Sequence, residues 1–104
     1  MKPNLTYINS LSGGDDSFKE KLISVIKLEF PVEKATYIKN IEAKNYQIAA
    51  ENVHKLKHKI SILGLEESYK IAACFEKNLK ENSMTLKEDF ENILQTITNY
   101  LIKL

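Results

Sequence analysis

The feature that most constrains the fold is a run of apolar residues spaced alternately four and three positions apart in the middle of the chain. The run lies in the segment NYQIAAENVHKLKHKISILG. Because an α-helix completes a turn every 3.6 residues, this spacing puts the side chains in one narrow stripe, which predicts a helix packed on a core. Asn45 is a suitable N-cap and Gly64 a suitable C-cap. The stripe consists of Ala49, Val53, Leu56, Ile60 and Leu63.

Three further segments show helical periodicity. The first begins near Phe18 and contains Pro31, which must remove one backbone hydrogen bond and either kink or split the helix. We expect this segment to bury Phe18, Leu22, Val25, Ile26, Phe30, Val32, Ile38 and Ile41. The next is expected to bury Ser68, Ile71, Ala72, Phe75 and Leu79. The last is expected to bury Leu86, Phe90, Ile93, Ile97, Tyr100 and Leu104.

Polar residues and glycines mark the boundaries of these helices. Capping boxes are predicted at Ser17 with Glu20 and at Thr85 with Glu88. Before Gly13, the segment LTYINSL predicts a short extra helix that packs through Tyr7, Ile8 and Leu11. The chain, taken as a single domain over residues 1–104, is therefore predicted to be all-α. The expected architecture is an antiparallel four-helix bundle with a short extra N-terminal helix.

Composition limits the classes of function. The net charge of +1 gives no overall attraction to nucleic acid or membrane, and all fifteen basic residues are lysines, although arginine is the usual residue in base recognition. The single cysteine, Cys74, excludes an internal disulfide and suits a reducing compartment. There is no apolar run near the length of a membrane span. We therefore expect a cytoplasmic monomer without nucleic-acid or membrane partners.

The two histidines of the chain, His54 and His58, lie one helical turn apart among Lys55, Lys57 and Lys59. With the apolar stripe facing the core, His54 is expected to be exposed and the lysines to make its surroundings positive. Ala50, one turn earlier, is expected to leave room beside the imidazole. The residues that share the face of His54 are Gln47, Ala50, Glu51, Lys57, His58 and Ser61.

Four interpretations of this face are open from the residues alone. It can be a solvated surface without chemistry. It can be a metal site, although two histidines are too few ligands and the lysines repel a cation, so we expect no metal. A hydrolytic site needs a nucleophile, but Ser61 lies about two turns from His54 on the same helix. Finally, His54 can carry a phosphoryl group, because imidazole is a good nucleophile near pH 7 and Lys57 can neutralise phosphate as a point charge.

At these residues the chain resembles the histidine-containing phosphotransfer (HPt) domains of multistep phosphorelays. The family pattern is His, any residue, Leu, Lys, Gly, then small residues, then Leu-Gly. Downstream, Phe75-Glu76 falls where the family has a hydrophobic residue followed by Glu or Gln, and the proline within the long helix is also similar. The resemblance covers about residues 5 to 103. The residues that match the pattern in register are His54, Leu56, Lys57, Leu63 and Gly64.

The resemblance implies a phosphocarrier in a two-component phosphorelay, without a kinase active site or a cofactor of its own. His54 would accept a phosphoryl group from an aspartyl phosphate on a response-regulator receiver domain, whose bound magnesium assists, and pass it to another receiver. A hybrid histidine kinase is a further partner that the family implies. The residues expected to contact the phosphate or the receiver are Lys57, His58, Ala50, Ser61 and Lys55.

The chain departs from the family next to His54. His58 stands where the family has glycine, and Lys59 and Ile60 replace small residues. A second imidazole can crowd a docking receiver, or it can hydrogen-bond His54 or its phosphate. His58 as the acceptor is a second possibility, out of register with Leu63-Gly64. A different class of function is also open: a helical scaffold or inhibitor that binds a receiver or a kinase without carrying phosphate.

Overall fold

The computed structural model describes residues 2–104. Over this range the chain is all-helical, with five helices and no strand. None of these helices combines the length and the apolar composition that crossing a membrane requires. The helices are α1 Thr6–Ser12, α2 Asp16–Glu42, α3 Tyr46–Ile62, α4 Glu66–Lys80 and α5 Lys87–Ile102.

Helix α3 is the central element of the packing. It contacts α2 on one side and, most extensively, α4 on the other, while α5 contacts α4 and α2 and the short α1 contacts α2. The molecule measures 44 × 23 × 19 Å. Its length is that of α2, because 27 residues at about 1.5 Å each span about 40 Å. These contacts are compatible with the predicted four-helix bundle.

The core confirms the α3 stripe, every member of which is fully buried. Against it lies a cluster of three aromatic rings from three helices: Tyr37 of α2, Phe75 of α4 and Phe90 of α5. The ring centroids are 5.2 Å apart for Tyr37–Phe90 and for Phe75–Phe90, and 6.2 Å apart for Tyr37–Phe75. The Tyr37 hydroxyl donates to Glu91 at 3.0 Å, so this buried polar group has a partner. Burial, together with the charge and hydrogen bond of Glu91, raises the pKa of Tyr37.

The predicted turn after α3 is confirmed. Gly64 has φ +78°, a left-handed conformation that favours glycine. The Leu65 N–H donates to the Ile60 carbonyl at 3.2 Å and the Gly64 N–H to the Ser61 carbonyl at 3.0 Å. These two bonds form a Schellman motif, with Leu63 as the C-cap. Asn45 occupies the N-cap of α3 as predicted, but its side chain makes no capping hydrogen bond.

Both predicted capping boxes are wrong. Helix α2 begins at Asp16, and the carboxylate of Asp15 accepts from the Phe18 N–H at 3.1 Å, so an acid before the proposed box caps the helix. Helix α5 begins at Lys87 without a side-chain cap. The Thr85 hydroxyl instead accepts from Ser83 at 3.0 Å within the preceding loop. Helix α2 is also not split at Pro31 but continues to Glu42.

Several residues predicted to be buried are exposed. On α2 the inward stripe is Ile26, Phe30, Tyr37 and Ile41, so residues about half a turn away point outward, and Val32 is 64% exposed. In α1 only Ile8 is buried, because this single short helix contacts only α2 extensively. The residues predicted to be buried that are partly exposed are Leu22, Ser68, Ile71, Leu86 and Tyr100. The exposed residues that the periodicity had assigned to the core are Tyr7, Leu11, Phe18, Val25, Val32, Ile38 and Leu104.

Candidate functional site

The outward face of α3 carries both histidines. Because the stripe ending in Leu63 faces the core, His54 and His58 point away from it, and the His54 side chain is 52% exposed, as expected. The two rings are in contact edge to face, with centroids 4.7 Å apart and planes at 66°. The site is therefore a pair of adjacent imidazoles on the surface of a helix that is fully packed on its other side.

A buried carboxylate on the neighbouring helix contacts one of the two histidines, His54. Glu76 of α4 is only 8% exposed. Its Oε2 lies 3.2 Å from Nδ1 of His54 and 3.5 Å from Nζ of Lys80, and its Oε1 lies 2.9 Å from Nζ of Lys57. The contact between Lys57 and Glu76 is a short ion pair whose angles do not fit a hydrogen bond. Glu76 is thus surrounded by three nitrogen groups, two of them from α3.

The contact with Glu76 fixes the chemistry of the His54 ring. A carboxylate can only accept a hydrogen bond, so we assign the proton of a neutral His54 to Nδ1. Nε2 then carries the lone pair. Because the side chain is half exposed while Nδ1 is occupied, Nε2 is the nitrogen available to an electrophile.

Electrostatics keep Glu76 ionised. Burial acts to raise the pKa of its carboxyl, but the close contact with Lys57 and the charges of His54 and Lys80 outweigh burial and lower the pKa. At neutral pH the group next to His54 Nδ1 is therefore a carboxylate. Such a neighbour stabilises positive charge that develops on the imidazole ring.

The predicted role of Lys57 as a free cation beside phosphate is corrected. Its side chain is 13% exposed and its ammonium is occupied by Glu76, with the Tyr69 ring 5.6 Å away. Its ammonium therefore holds the carboxylate rather than facing solvent. We attribute this to its position on α3, about 100° from Leu56, where it points towards α4.

The expected positive patch is also smaller than predicted. Lys59 points towards α2, where its Nζ lies 3.1 Å from Glu29 and 3.0 Å from Glu33. Burial acts to lower the pKa of Lys59, but hydrogen bonds to Glu33 and Glu29 and their charges raise it. Lys55 is exposed and, among residues 2–104, forms no ion pair. Of the three lysines near His54, Lys55 is the one left facing solvent.

Of the other residues predicted to contact the phosphate or the receiver, one is buried and two are exposed. The side chain of Ala50 is fully buried, which corrects the expectation that it contacts a docked partner. His58 and Ser61 are exposed. Ser61 makes no side-chain hydrogen bond within the described range, so it is not oriented by either histidine.

Glu76 is the site residue that the sequence analysis did not assign a role. A signal was present, since Glu76 lies four residues after Ala72 and therefore on the inward side of its helix. The HPt pattern that this segment resembles also has Glu or Gln there. An acid at such a position requires a cation or a donor opposite it. The periodicity of one helix does not say which residue of another helix supplies that partner.

Within the described range, no group of three or more His, Cys, Asp or Glu side chains is close enough to hold a metal ion. Comparison with known proteins gives no match: no family model, no curated protein and no solved structure matches this chain.

Proposed function

We propose that this chain is a histidine phosphotransfer protein that accepts a phosphoryl group on Nε2 of His54. The observation that carries the proposal is the exposed imidazole whose Nδ1 lies 3.2 Å from the buried carboxylate of Glu76. This arrangement leaves one ring nitrogen free for attack and stabilises the ring as it becomes positive. The motif around His54 supports the same function.

The proposal includes the architecture. We infer that α2 to α5 form an antiparallel four-helix bundle of the HPt type, with α1 packed outside it on α2. The site then lies on a convex surface formed by α3 and α4. Such a surface suits a side chain that enters the active site of another protein, rather than one that binds a substrate in a pocket of its own.

The donor in this proposal is an aspartyl phosphate on a response-regulator receiver domain with bound magnesium. Nε2 forms a bond to phosphorus as the bond between phosphorus and the aspartate oxygen breaks, and the aspartate leaves as a carboxylate. The proton stays on Nδ1, where Glu76 balances the charge of the phosphorylated ring. A second receiver aspartate takes the group by the reverse reaction. Lys57 acts as a positioning residue through Glu76.

The test is phosphoryl acceptance by three proteins: the wild type, His54→Gln and His58→Gln. Each is incubated with several phosphorylated receiver domains and magnesium, and intact mass is measured at neutral or basic pH. We expect one phosphoryl group on the wild type and on His58→Gln, and none on His54→Gln. Acceptance lost only in His58→Gln would move the site by one turn.

The second candidate function is a receiver- or kinase-binding scaffold or inhibitor that carries no phosphate. The His58 ring favours it, because it lies against His54 where the family has glycine and can block in-line approach. Binding of unphosphorylated receivers to the wild type and to His54→Gln separates the two. Equal binding without phosphoryl acceptance, in proteins whose helical circular dichroism is unchanged, would favour the scaffold and contradict the carrier.

A further inference from the structure

An apolar groove runs between α2 and α5, away from the α3–α4 surface that carries the histidines. Its volume is about 400 Å³, within the range of small-molecule sites. Phe30 and Leu101 are buried and form its floor, and the more exposed Ile38 and Ile102 form its sides. No Asp or Glu lines it. The groove offers apolar contact along its length and no negative charge.

Two lysines of α2, Lys27 and Lys34, also line this groove. The ammonium of the half-buried Lys34 donates to Oγ1 of Thr98 at 2.8 Å, and Thr98 in turn donates to the Leu94 carbonyl at 2.8 Å. An ammonium has three donors, and this contact uses one of them. Among residues 2–104, neither lysine forms an ion pair with a carboxylate. A charge held at the edge of an apolar surface without a counter-ion favours an anionic ligand.

We propose that the groove binds a small amphiphilic carboxylate. The apolar body of the ligand lies on Phe30 and Leu101, and its carboxylate accepts hydrogen bonds from the free donors of Lys34, with Lys27 as a second cation. One anionic head group matches the two lysines of the lining, and a hydrocarbon body matches its apolar part. This site is independent of His54 and of the phosphotransfer proposed for it.

The test uses sodium decanoate as the probe and decyltrimethylammonium as its charge-reversed counterpart, both below their micelle-forming concentrations. Amide resonances of the full ¹⁵N-labelled chain are followed by NMR during titration. We expect decanoate to shift resonances of α2 and α5 around the groove, with saturation, and to bind at least tenfold more tightly than the cation. Lys34→Met, which keeps a long apolar side chain, should weaken decanoate binding about five- to tenfold.

Two further variants make the test specific. Ala35→Phe places a ring into the groove from an exposed position and should abolish the shifts, whereas Lys77→Met removes an exposed α4 lysine far from the groove and should leave binding unchanged. Equal binding of the two probes, or no saturable shifts at millimolar decanoate, would overturn the proposal. So would concentration-dependent dimerisation that Ala35→Phe removes, because a second copy of the chain would then occupy the groove.

Discussion

His54 and His58 are exposed neighbours on one helix, but a single carboxylate makes them chemically different. Nδ1 of His54 contacts Glu76, whereas no side-chain hydrogen bond or ion pair within residues 2–104 involves His58. A ring without such a partner is free to exchange its proton between its two nitrogens. The orientation and the tautomer of His54 are instead determined by α4. This difference can be measured on the isolated protein, without any partner.

We predict that neutral His54 carries its proton on Nδ1, and that Glu76→Leu removes this preference. Glu76→Gln should retain it, since the amide oxygen still accepts from Nδ1–H. Long-range ¹H–¹⁵N spectra, recorded about two pH units above the ordinary imidazole pKa of about 6.5, distinguish the two tautomers. His58, whose side chain has no contact with Glu76, serves as an internal reference whose tautomer distribution should be the same in all three proteins. A wild-type His54 that resembles His58 would contradict the assigned contact.

At the scale of residues, the sequence predicts which way a side chain points from its helix better than it predicts which residue that side chain contacts. The uninterrupted 4–3 stripe defines the orientation of α3, so the exposure of His54 and His58 follows from it. The same argument placed Lys57 in solvent, because it considers one helix alone. Lys57 finds its carboxylate on α4 and Lys59 finds two on α2, and those pairings depend on how the helices pack together.

At the scale of elements, the turn after α3 ties together three parts of the chain. A Cβ added to Gly64 would lie 2.5 to 2.8 Å from side-chain atoms of Asn4. The side-chain oxygen of Asn4 accepts from the Thr6 N–H at 3.1 Å at the start of α1, and the backbone N–H of Asn4 donates to the Leu63 carbonyl at 2.8 Å. Glycine is therefore favoured at position 64 by its conformation, and an added Cβ would also displace the exposed side chain of Asn4.

We predict that Gly64→Ala lowers the free energy of unfolding by about 2 kcal/mol. About half comes from backbone strain at positive φ, and the rest from displacing Asn4 and its hydrogen bond at the start of α1. Gly14→Ala is the matched control, because Gly14 has φ +91° and nothing within 4 Å of an added Cβ. It should show only the backbone part. Urea unfolding measures both.

The Asn4→Ala background isolates the contact with Asn4. In that background the losses caused by Gly64→Ala and Gly14→Ala should become nearly equal, because the displaced side chain is absent. Losses that are already equal in the wild-type background would show that the Asn4 contact does not contribute.

Glycines and capping residues in the sequence predict some helix ends correctly and others wrongly. Gly64 follows α3 at φ +78°, a conformation that glycine adopts without strain, so the sequence predicts this turn correctly. At the start of α2, Asp15 and Ser17 are both good caps, and composition alone does not rank them. At Thr85 the competing partner is Ser83 within the loop, so a sequence that fits the capping box forms a loop contact instead.

At the scale of the whole molecule, α5 contacts its neighbours less extensively than α3 does. The aromatic cluster adds to the packing of its other buried residues, Ile93, Leu94, Ile97 and Leu101. Phe90 is fully buried and its ring contacts those of Tyr37 and Phe75, so one side chain joins α5 to both α2 and α4. The groove between α2 and α5 reduces the remaining contact between those helices. The stability of the whole domain should therefore be unusually sensitive to this residue.

We predict that Phe90→Ala lowers the free energy of unfolding by about 3–5 kcal/mol, a large part of the roughly 5–15 kcal/mol typical of a domain. Val32→Ala is the informative control, because the periodicity of the sequence assigns Val32 to the core whereas the structure leaves it 64% exposed. It should change stability by less than about 0.5 kcal/mol. Both values come from urea unfolding followed by circular dichroism. A loss of stability above about 1 kcal/mol in Val32→Ala would mean that the outer face of α2 is covered in solution. A small loss of stability in Phe90→Ala would mean that α5 is not held through the aromatic cluster.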